Sequence, residues 1–487
     1  MRVSSLPGID VQGLAYDSRH VQPGQVFIAL TGLKARGAAF AADAIRRGAV
    51  AVVADEPASA AVPVPWVTVP DARTAMASLA AEFYGHPSRL MQVVGITGTN
   101  GKTTTAYLLR AVFEAAGKKC GLLGTVMYSI GDQELPASRT TPEAPDVQRM
   151  FRQMVDAGCA ACVMEVSSHA LALRRVDETT FAAGVFTNLT RDHLDYHGDM
   201  ELYFDAKKRL FEMLPPGAPA AVNLDDPRGD TIRKIAASPV TYAINKPADV
   251  TPGPLTLTFK GLEFDARTPK GNVHVKSRLV GRPNVSNILA TIAVATALGV
   301  PAAAIERGLT NLAGVPGRFE VVSADTDDIT VVIDYAHTDD ALRNLLETAR
   351  PIAPRRVITV FGCGGDRDRT KRPLMGAVAA RLSDVVVVTS DNPRTEDPVR
   401  IIEEIKRGVP PASDSAFGKA AADQREGRQT FTIVDRREAI EFAIRQAQPG
   451  DLVLLVGKGH EKTQLIGTRE LPFDEAAIAR EALERRR

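Results

Sequence analysis

The chain has 487 residues, 45% of them apolar and 24% charged, a composition that suits two to four globular domains and excludes a disordered or fibrous chain. Its formal charge of +1 gives no global field to attract nucleic acid or an anionic membrane, so an anionic substrate has to be met by local cationic sites. No apolar run approaches the roughly 18 residues of a membrane span, and the opening MRVSSLPGID lacks the apolar core of a signal peptide.

In chain order, residues 1–88 are Ala/Val-rich, with strand-like runs at 25–30, 50–54 and 66–69, and Gly85-His86-Pro87-Ser88 closes them as a linker. From 89 to 316 short apolar strands alternate with amphipathic helices, the mark of an α/β fold. Residues 91–95 read as a strand, 102–116 as a helix, and 160–166 and 182–186 as buried strands. Residues 250–280 alternate as an antiparallel patch, 284–298 form a helix, and Gly314-Val315-Pro316-Gly317 is a second linker. From 317 to 487 strands recur at 329–333, 356–361, 384–389 and 451–456, and residues 476–487 make a charged terminal helix. The polar, unpatterned stretch 410–429 reads as a mobile surface loop. The four cysteines are too few for a disulfide scaffold. Cys159 and Cys162 form a C-x-x-C, but they lack a second pair for zinc and enter an apolar run, so core packing is expected. A reducing cytoplasm fits this cysteine usage, and nothing calls for an obligate interface, so a monomer is expected.

The strand at 91–95 runs through Ile96-Thr97 into Gly98-Thr99-Asn100-Gly101-Lys102-Thr103-Thr104 and then a helix. Glycines let backbone N–H groups close around phosphate oxygens, and the helix N-terminus adds partial positive charge. Lys102 would neutralise β/γ-phosphates, and the Thr103 hydroxyl would ligate Mg²⁺. The spacing departs from G-x-x-x-x-G-K-[ST], which would want glycine where Ile96 stands. A GTPase would also want N-K-x-D, and in Asn245-Lys246-Pro247-Ala248-Asp249 the aspartate comes one residue late.

Gly95–Thr104 (GITGTNGKTT), Met164–His169 (MEVSSH), Thr187–Gly198 (TNLTRDHLDYHG) and Asp334–His337 (DYAH) together resemble the Mur ligases of peptidoglycan synthesis over nearly the whole chain. The resemblance implies an α/β protein of three domains: a smaller N-terminal UDP-sugar-binding domain (1–88), a central P-loop ATPase (89–316) and a C-terminal Rossmann-like domain that binds an amino acid (317–487). By itself Glu165, at the end of a buried strand, could hold Mg²⁺ or merely cap a turn. Alone, His193 would be a solvated loop histidine and Lys207 an ordinary helical lysine. The resemblance makes Glu165 and His193 ligands of Mg²⁺ and Lys207 a carbamylated lysine beside the metal, a modification that needs a neutral amine and hence a depressed pKa. It also places Asn188 near the γ-phosphate, Asn287 near the adenine, Arg318 at the phosphates, and Asp334 and His337 near the ribose and base of ATP. Arg282-Pro283 and Asp339 depart from the residues usual in the family.

For the UDP-sugar the resemblance points to Ser18 and the loop of Lys34 and Ala35, and for its peptide arm to Thr140, Thr141, Ser167 and Arg175, an arginine suited to a carboxylate. Arg36, Arg139 and Leu173 differ from many relatives. Three groups sit at the carboxyl ends of C-terminal strands, where open α/β sheets bind ligands: Arg367, then Asp391-Asn392-Pro393-Arg394, then Gly457 and Glu461. Two arginines with acids suit meso-diaminopimelate, an amino acid at both ends, whereas L-lysine would leave one arginine without a carboxylate. The implied reaction uses ATP, Mg²⁺ and UDP-N-acetylmuramoyl-L-alanyl-D-glutamate. A glutamate carboxylate is phosphorylated, and the amine of diaminopimelate then displaces phosphate, with two Mg²⁺ ions and Lys102 neutralising charge. A lysine-adding version of this ligase, a folylpolyglutamate synthase and a nucleotide-binding module without ligase activity are the alternatives.

Overall fold

Three mainly parallel sheets follow one another along the chain in a computed structural model that describes residues 8–32, 36–410 and 428–486. The first joins Gly13–Ala15, Gln25–Ala29, Ala51–Ala54 and Trp66–Thr68, every neighbouring pair parallel. Val26, Ile28 and Val53 feed a core on one face, and Phe27, Ala29 and Val52 a core on the other. Burial on both faces is why these strands read as continuous apolar runs. The helix Ala72–Phe83 covers the first face and starts where Asp71 accepts from the N–H groups of Arg73 and Thr74.

The central sheet has eight strands in the order Ser238–Tyr242, Pro219–Asn223, Ala183–Phe186, Gln92–Thr97, Ala161–Glu165, Cys120–Leu123, Met127–Ile130, Gln133–Pro136. The first six are parallel, and the last two form an antiparallel edge. Alternation along Gln92–Thr97 sends Val93 to a core with the helices Ala144–Asp156 and Met200–Glu212. It sends Val94 and Ile96 to a core with Lys102–Ala115 and Arg282–Ala297. The latter helix is apolar nearly all round, as an enclosed helix has to be. The antiparallel strands Gly261–Thr268 and Gly271–Ser277 close over that core, with Leu262, Phe264, Ala266, Val273 and Val275 at alternate positions facing in. Register positions the site: Glu165 lies opposite Ile96, and Phe186 opposite Thr97. The loops after these three strands therefore open at one edge of the sheet.

The C-terminal sheet runs Glu320–Val321, Thr330–Asp334, Leu452–Val456, Val357–Phe361, Val385–Val388, Gln429–Thr432, parallel except for the first pair. A hairpin of Thr463–Ile466 and Arg469–Pro472 and the helix Glu475–Arg486 follow. Of the stretch 410–429, read above as a mobile loop, residues 411–427 lie outside the described residues, and Gln429 opens the edge strand. The Gly85–Ser88 connection is packed down: Pro87 and Ser88 are buried, and Ser88 Oγ accepts from the Thr180 N–H at 3.0 Å. Cys159 and Cys162 are buried thiols, each in the core beside Met164. Among the described residues no helix is long and apolar enough to cross a membrane.

Candidate active site

Gly98 has φ 149° and Gly101 φ 87°. A Cβ on Gly98 would lie 1.9 Å from Thr187 Oγ1, and one on Gly101 2.4 Å from Asn287 Oδ1. Conformation and close approach thus both demand glycine. The loop is tied to the next strand's end: the Thr99 N–H donates to the Asn188 carbonyl (2.8 Å) and the Asn100 N–H to Asn188 Oδ1 (2.9 Å). Asn188 Nδ2 and Thr187 Oγ1 in turn donate to the Asn100 carbonyl, at 3.1 and 2.6 Å. No side chain caps the helix Lys102–Ala115, so its first-turn N–H groups face the loop's hollow as donors for an anion. Lys102 Nζ folds back onto the carbonyls of Gly98 (2.9 Å) and Thr99 (2.8 Å). Burial lowers its pKa, and the carboxylates of Glu165 and Asp192 oppose that.

Glu165 is 1% exposed and accepts from the Thr125 N–H (2.8 Å) and hydroxyl (3.0 Å). Arg318 donates to Thr103 Oγ1 at 3.3 Å and stacks 4.6 Å from the Tyr335 ring centre, so it joins the helix N-terminus to the C-terminal sheet. Among the described residues no three His, Cys, Asp or Glu gather as a metal cage. Mg²⁺ normally keeps water and phosphate oxygens and takes one or two protein carboxylates. Glu165 and Thr103 offer oxygens of that type, each now accepting from protein, Glu165 from Thr125 and Thr103 from Arg318. Lys207 is 1% exposed; its Nζ donates to the Gly98 carbonyl at 2.8 Å and lies 4.6 Å from the Tyr203 ring centre. Burial first and the Lys102 ammonium second push its pKa well below the lysine range. His193 sits at φ 55°, its ring 4.9 Å from that of His169. Burial lowers its pKa to about 4, so the ring is neutral at pH 7 and can act as a ligand.

Asn287 borders the loop, while Asp334 and His337 lie at the turn after Thr330–Asp334 in the C-terminal sheet, each held by protein. Asn287 faces Gly101, and its Nδ2 donates to Asn284 Oδ1 at 3.0 Å. Asp334 accepts from the N–H groups of Phe319 (2.7 Å) and Ala336 (2.8 Å) and so holds Phe319 at φ 48°. His337 Nδ1 lies 3.0 Å from the Tyr335 carbonyl. The two sheets' loops also meet through Asn100 Nδ2 and Asp340 Oδ2 (3.4 Å) and through Arg191 and Asp339 (3.1 Å).

At the carboxyl end of the C-terminal sheet Arg394, at φ 51°, donates through Nη1 to the Gly365 carbonyl at 2.7 Å. A Cβ on Gly364 would lie 2.9 Å from that Nη1 and 3.8 Å from Arg367 Cγ, and one on Gly365 1.9 Å from the Pro393 carbonyl. Burial and the nearby Arg367 lower the Arg394 pKa, while Asp391 and Glu461 raise it. Two guanidiniums, of which Arg367 is exposed, and two carboxylates are therefore grouped at the ends of these strands. Gly457, at φ 117°, leaves room for Asp391 Oδ2, which would be 2.8 Å from a Cβ there. Asn392 Nδ2 donates to Glu461 Oε2 at 2.8 Å.

Ser18 is buried in the first sheet's opening turn, while Lys34 and Ala35 lie outside the described residues. Thr140, Thr141 and Ser167 cluster around Glu165. Thr141 Oγ1 donates to the Glu165 carbonyl (2.8 Å) and accepts from the Ser167 N–H (3.1 Å), and Thr140 Oγ1 lies 3.0 Å from Thr125 Oγ1. Arg175 joins them through the Thr141 carbonyl (3.0 Å) but already holds a carboxylate, Glu143, at 2.8 Å.

The family model of the Mur ligase middle domain matches residues 96–295, that of the Mur ligase glutamate ligase domain 317–459, and that of the Mur ligase family catalytic domain 10–84. The chain is 47% identical over 500 residues to the UDP-N-acetylmuramoyl-L-alanyl-D-glutamate--2,6-diaminopimelate ligase of Geobacillus thermodenitrificans, covering 100% of this chain and 99% of that one. It belongs to the Mur ligase family. A solved UDP-N-acetylmuramoyl-L-alanyl-D-glutamate--2,6-diaminopimelate ligase matches with a TM-score of 0.68 at 33% identity, covering 98% and 95%. The Thermotoga maritima MurF ligase, solved in complex with ADP, matches with a TM-score of 0.66 at 18% identity, covering 99% and 100%, a likeness of fold alone.

This Mur ligase carries three buried cations that the sequence reading passed over. Arg372, with its side chain 0% exposed, binds Glu396 (2.8 Å) and Glu404 (2.7 Å) and supports the Gly364 carbonyl at 3.2 Å. Arg436 pairs with Glu475 at 2.7 Å and holds the carbonyls of Val456 (2.9 Å) and Ser390 (3.3 Å) at two strand ends. Lys458, between Gly457 and Gly459, is also fully buried. A lysine between two glycines reads as solvated; its one signal was its place between Gly457 and Glu461.

Proposed function

We propose that this Mur ligase adds meso-2,6-diaminopimelate to UDP-N-acetylmuramoyl-L-alanyl-D-glutamate at the expense of ATP. The observation that carries the reading is the hollow at the C-terminal sheet, where Arg394 and Arg367 stand beside Asp391 and Glu461. Two arginines and two acids complement an amino acid with a carboxylate and an ammonium at its far end. The names of the relatives support the same acceptor.

Three units, 1–88, 89–316 and 317–487, would each meet one substrate, so positioning is a large part of the catalysis. The helix N-terminus and Lys102 bind the β/γ-phosphates, and Arg318 brings the C-terminal unit onto them. Asn188 keeps the loop's shape through the Asn100 backbone. Asn287 lines the loop mouth toward the adenine, and the Asp334–His337 turn borders the ribose. Thr103, Glu165, His193 and a carbamylated Lys207 would hold Mg²⁺, which when bound supplies charge neutralisation at the transferring phosphoryl group. The neutral amine favoured at Lys207 is the form that reacts with CO₂. Ser18 with the Lys34–Ala35 loop takes the uridine diphosphate end. Thr140, Thr141, Ser167 and Arg175 direct the peptide arm toward Glu165, with Glu143 as the counter-ion that Arg175 exchanges or shares.

The glutamate side-chain carboxylate attacks the γ-phosphorus, ADP leaves, and an acyl phosphate forms. The acceptor amine adds to the acyl carbon, and the tetrahedral intermediate expels phosphate to leave the amide. The test is ADP release with the UDP-dipeptide and either meso-diaminopimelate or L-lysine. Turnover with lysine alone would overturn the acceptor assignment, and turnover with neither would overturn the ligase reading of this substrate pair.

A further inference from the structure

Lys458 is a fully buried cation in the acceptor hollow, and no step above uses it. Its side chain is 0% exposed. A lysine removed from water needs partners for its charge and its three N–H donors. Nζ donates to Asn392 Oδ1 at 3.0 Å and to Glu461 Oε2 at 3.0 Å, and it lies 3.8 Å from Asp391 Oδ1. The neighbouring buried cations are turned elsewhere, Arg436 to Glu475 and Arg372 to Glu396 and Glu404.

These directions fix the receptor. Asn392 Oδ1 accepts from Lys458 and from the Leu465 N–H at 2.9 Å, so the amide cannot flip, and its Nδ2 is left to donate to Glu461 Oε2 at 2.8 Å. Glu461 Oε2 therefore has two protein donors, which leaves Oε1 for an incoming group. Charge points the same way. Lys458 meets both Asp391 and Glu461 on their protein side, so the carboxylates keep their ionised form and are held in place for an ammonium that approaches from the other side. Arg367 and Arg394 stand next to it for a carboxylate.

We propose that Lys458 is a positioning residue that presents Glu461 and Asp391 to the ammonium at the non-reacting end of the acceptor, and thereby makes the site select acceptors that carry that ammonium. The inference rests on the reading of this hollow as the acceptor seat and adds the device that orients it.

The test compares meso-diaminopimelate with 2-aminopimelate, which keeps both carboxylates and one amine but has hydrogen in place of the second ammonium. In Lys458→Met the KM for meso-diaminopimelate rises at least about tenfold, the scale of a lost charge-assisted hydrogen bond. The KM values for 2-aminopimelate and ATP stay within about twofold, because neither ligand uses the ammonium seat. Lys458→Arg, which keeps the buried charge, shows a smaller rise restricted to meso-diaminopimelate, and it serves as the variant if the methionine protein does not fold. A loss shared equally by both acceptors makes Lys458 a support of the fold and overturns the inference, as does an unchanged KM. The wild-type control separates the failures. No wild-type turnover with meso-diaminopimelate removes the acceptor assignment and this inference together, whereas normal wild-type turnover with an unselective variant removes this inference alone.

Discussion

Gly98→Ala is the sharpest perturbation of the nucleotide loop. At φ 149° an alanine is strained, which costs about 1–3 kcal/mol. Its Cβ would also fall 1.9 Å from Thr187 Oγ1 and 3.0 Å from the Asn188 backbone N and O. Thr187 would have to turn away and give up its 2.6 Å bond to the Asn100 carbonyl, a further cost of about 1 kcal/mol. Relief comes through displacement of the loop that receives phosphate, so the cost falls on ATP binding. At a factor of ten per 1.4 kcal/mol, roughly 2–4 kcal/mol raises the KM for ATP between about thirtyfold and several hundredfold. Steady-state ADP release measures it, with the KM for the acceptor as the internal control. Adding Thr187→Gly removes the hydroxyl from the clash and recovers part of the loss. An ATP KM within about twofold of wild type would falsify the claim that this close approach shapes the phosphate site.

Three further outcomes follow from particular contacts. Arg394→Ala raises the KM for diaminopimelate by about tenfold or more and leaves that for ATP nearly unchanged; an equal rise in both would misplace the acceptor hollow. Removing dissolved CO₂ lowers kcat, bicarbonate restores it, and Lys207→Ala does not respond; a wild type indifferent to CO₂ would mean that Lys207 acts unmodified. The hydrogen bonds from Arg372 hold the Glu396 carboxyl down at about 2 against an ordinary 4.5. The stability this gives is complete above pH 4.5 and is lost as pH falls through about 2. Melting temperature should therefore fall through that window in the wild type and less steeply in Glu396→Gln; parallel profiles would deny the coupling.

Local signals carry as far as local causes reach. The strand, loop and helix around Gly98–Thr104 are readable because a buried strand is uninterrupted and apolar, and because the glycines mark backbone that other residues adopt only under strain. The antiparallel strands Gly261–Thr268 and Gly271–Ser277 are readable from their period of two. Gln133–Pro136 is exposed along its length, so it leaves no apolar pattern. Pro239 argues against a strand at Ser238–Tyr242, yet the strand lies at the sheet's edge, where a missing N–H is tolerated. In the site, residues inside contiguous motifs stand out, and their supports do not. Thr125 fixes Glu165 from 40 residues away, and Glu143 meets Arg175 across the fold. Lys458 is solvated or buried according to the packing of Asn392 and Glu461 around it, which sequence spacing does not convey.

The central claim is the identity of the amine. The most direct measurement is mass spectrometry of the nucleotide product after the enzyme, ATP and UDP-N-acetylmuramoyl-L-alanyl-D-glutamate are incubated with equal meso-diaminopimelate and L-lysine. The paired arginines and acids predict the diaminopimelate tripeptide in large excess; a lysine tripeptide as the main product, or the unchanged dipeptide alone, would contradict the account.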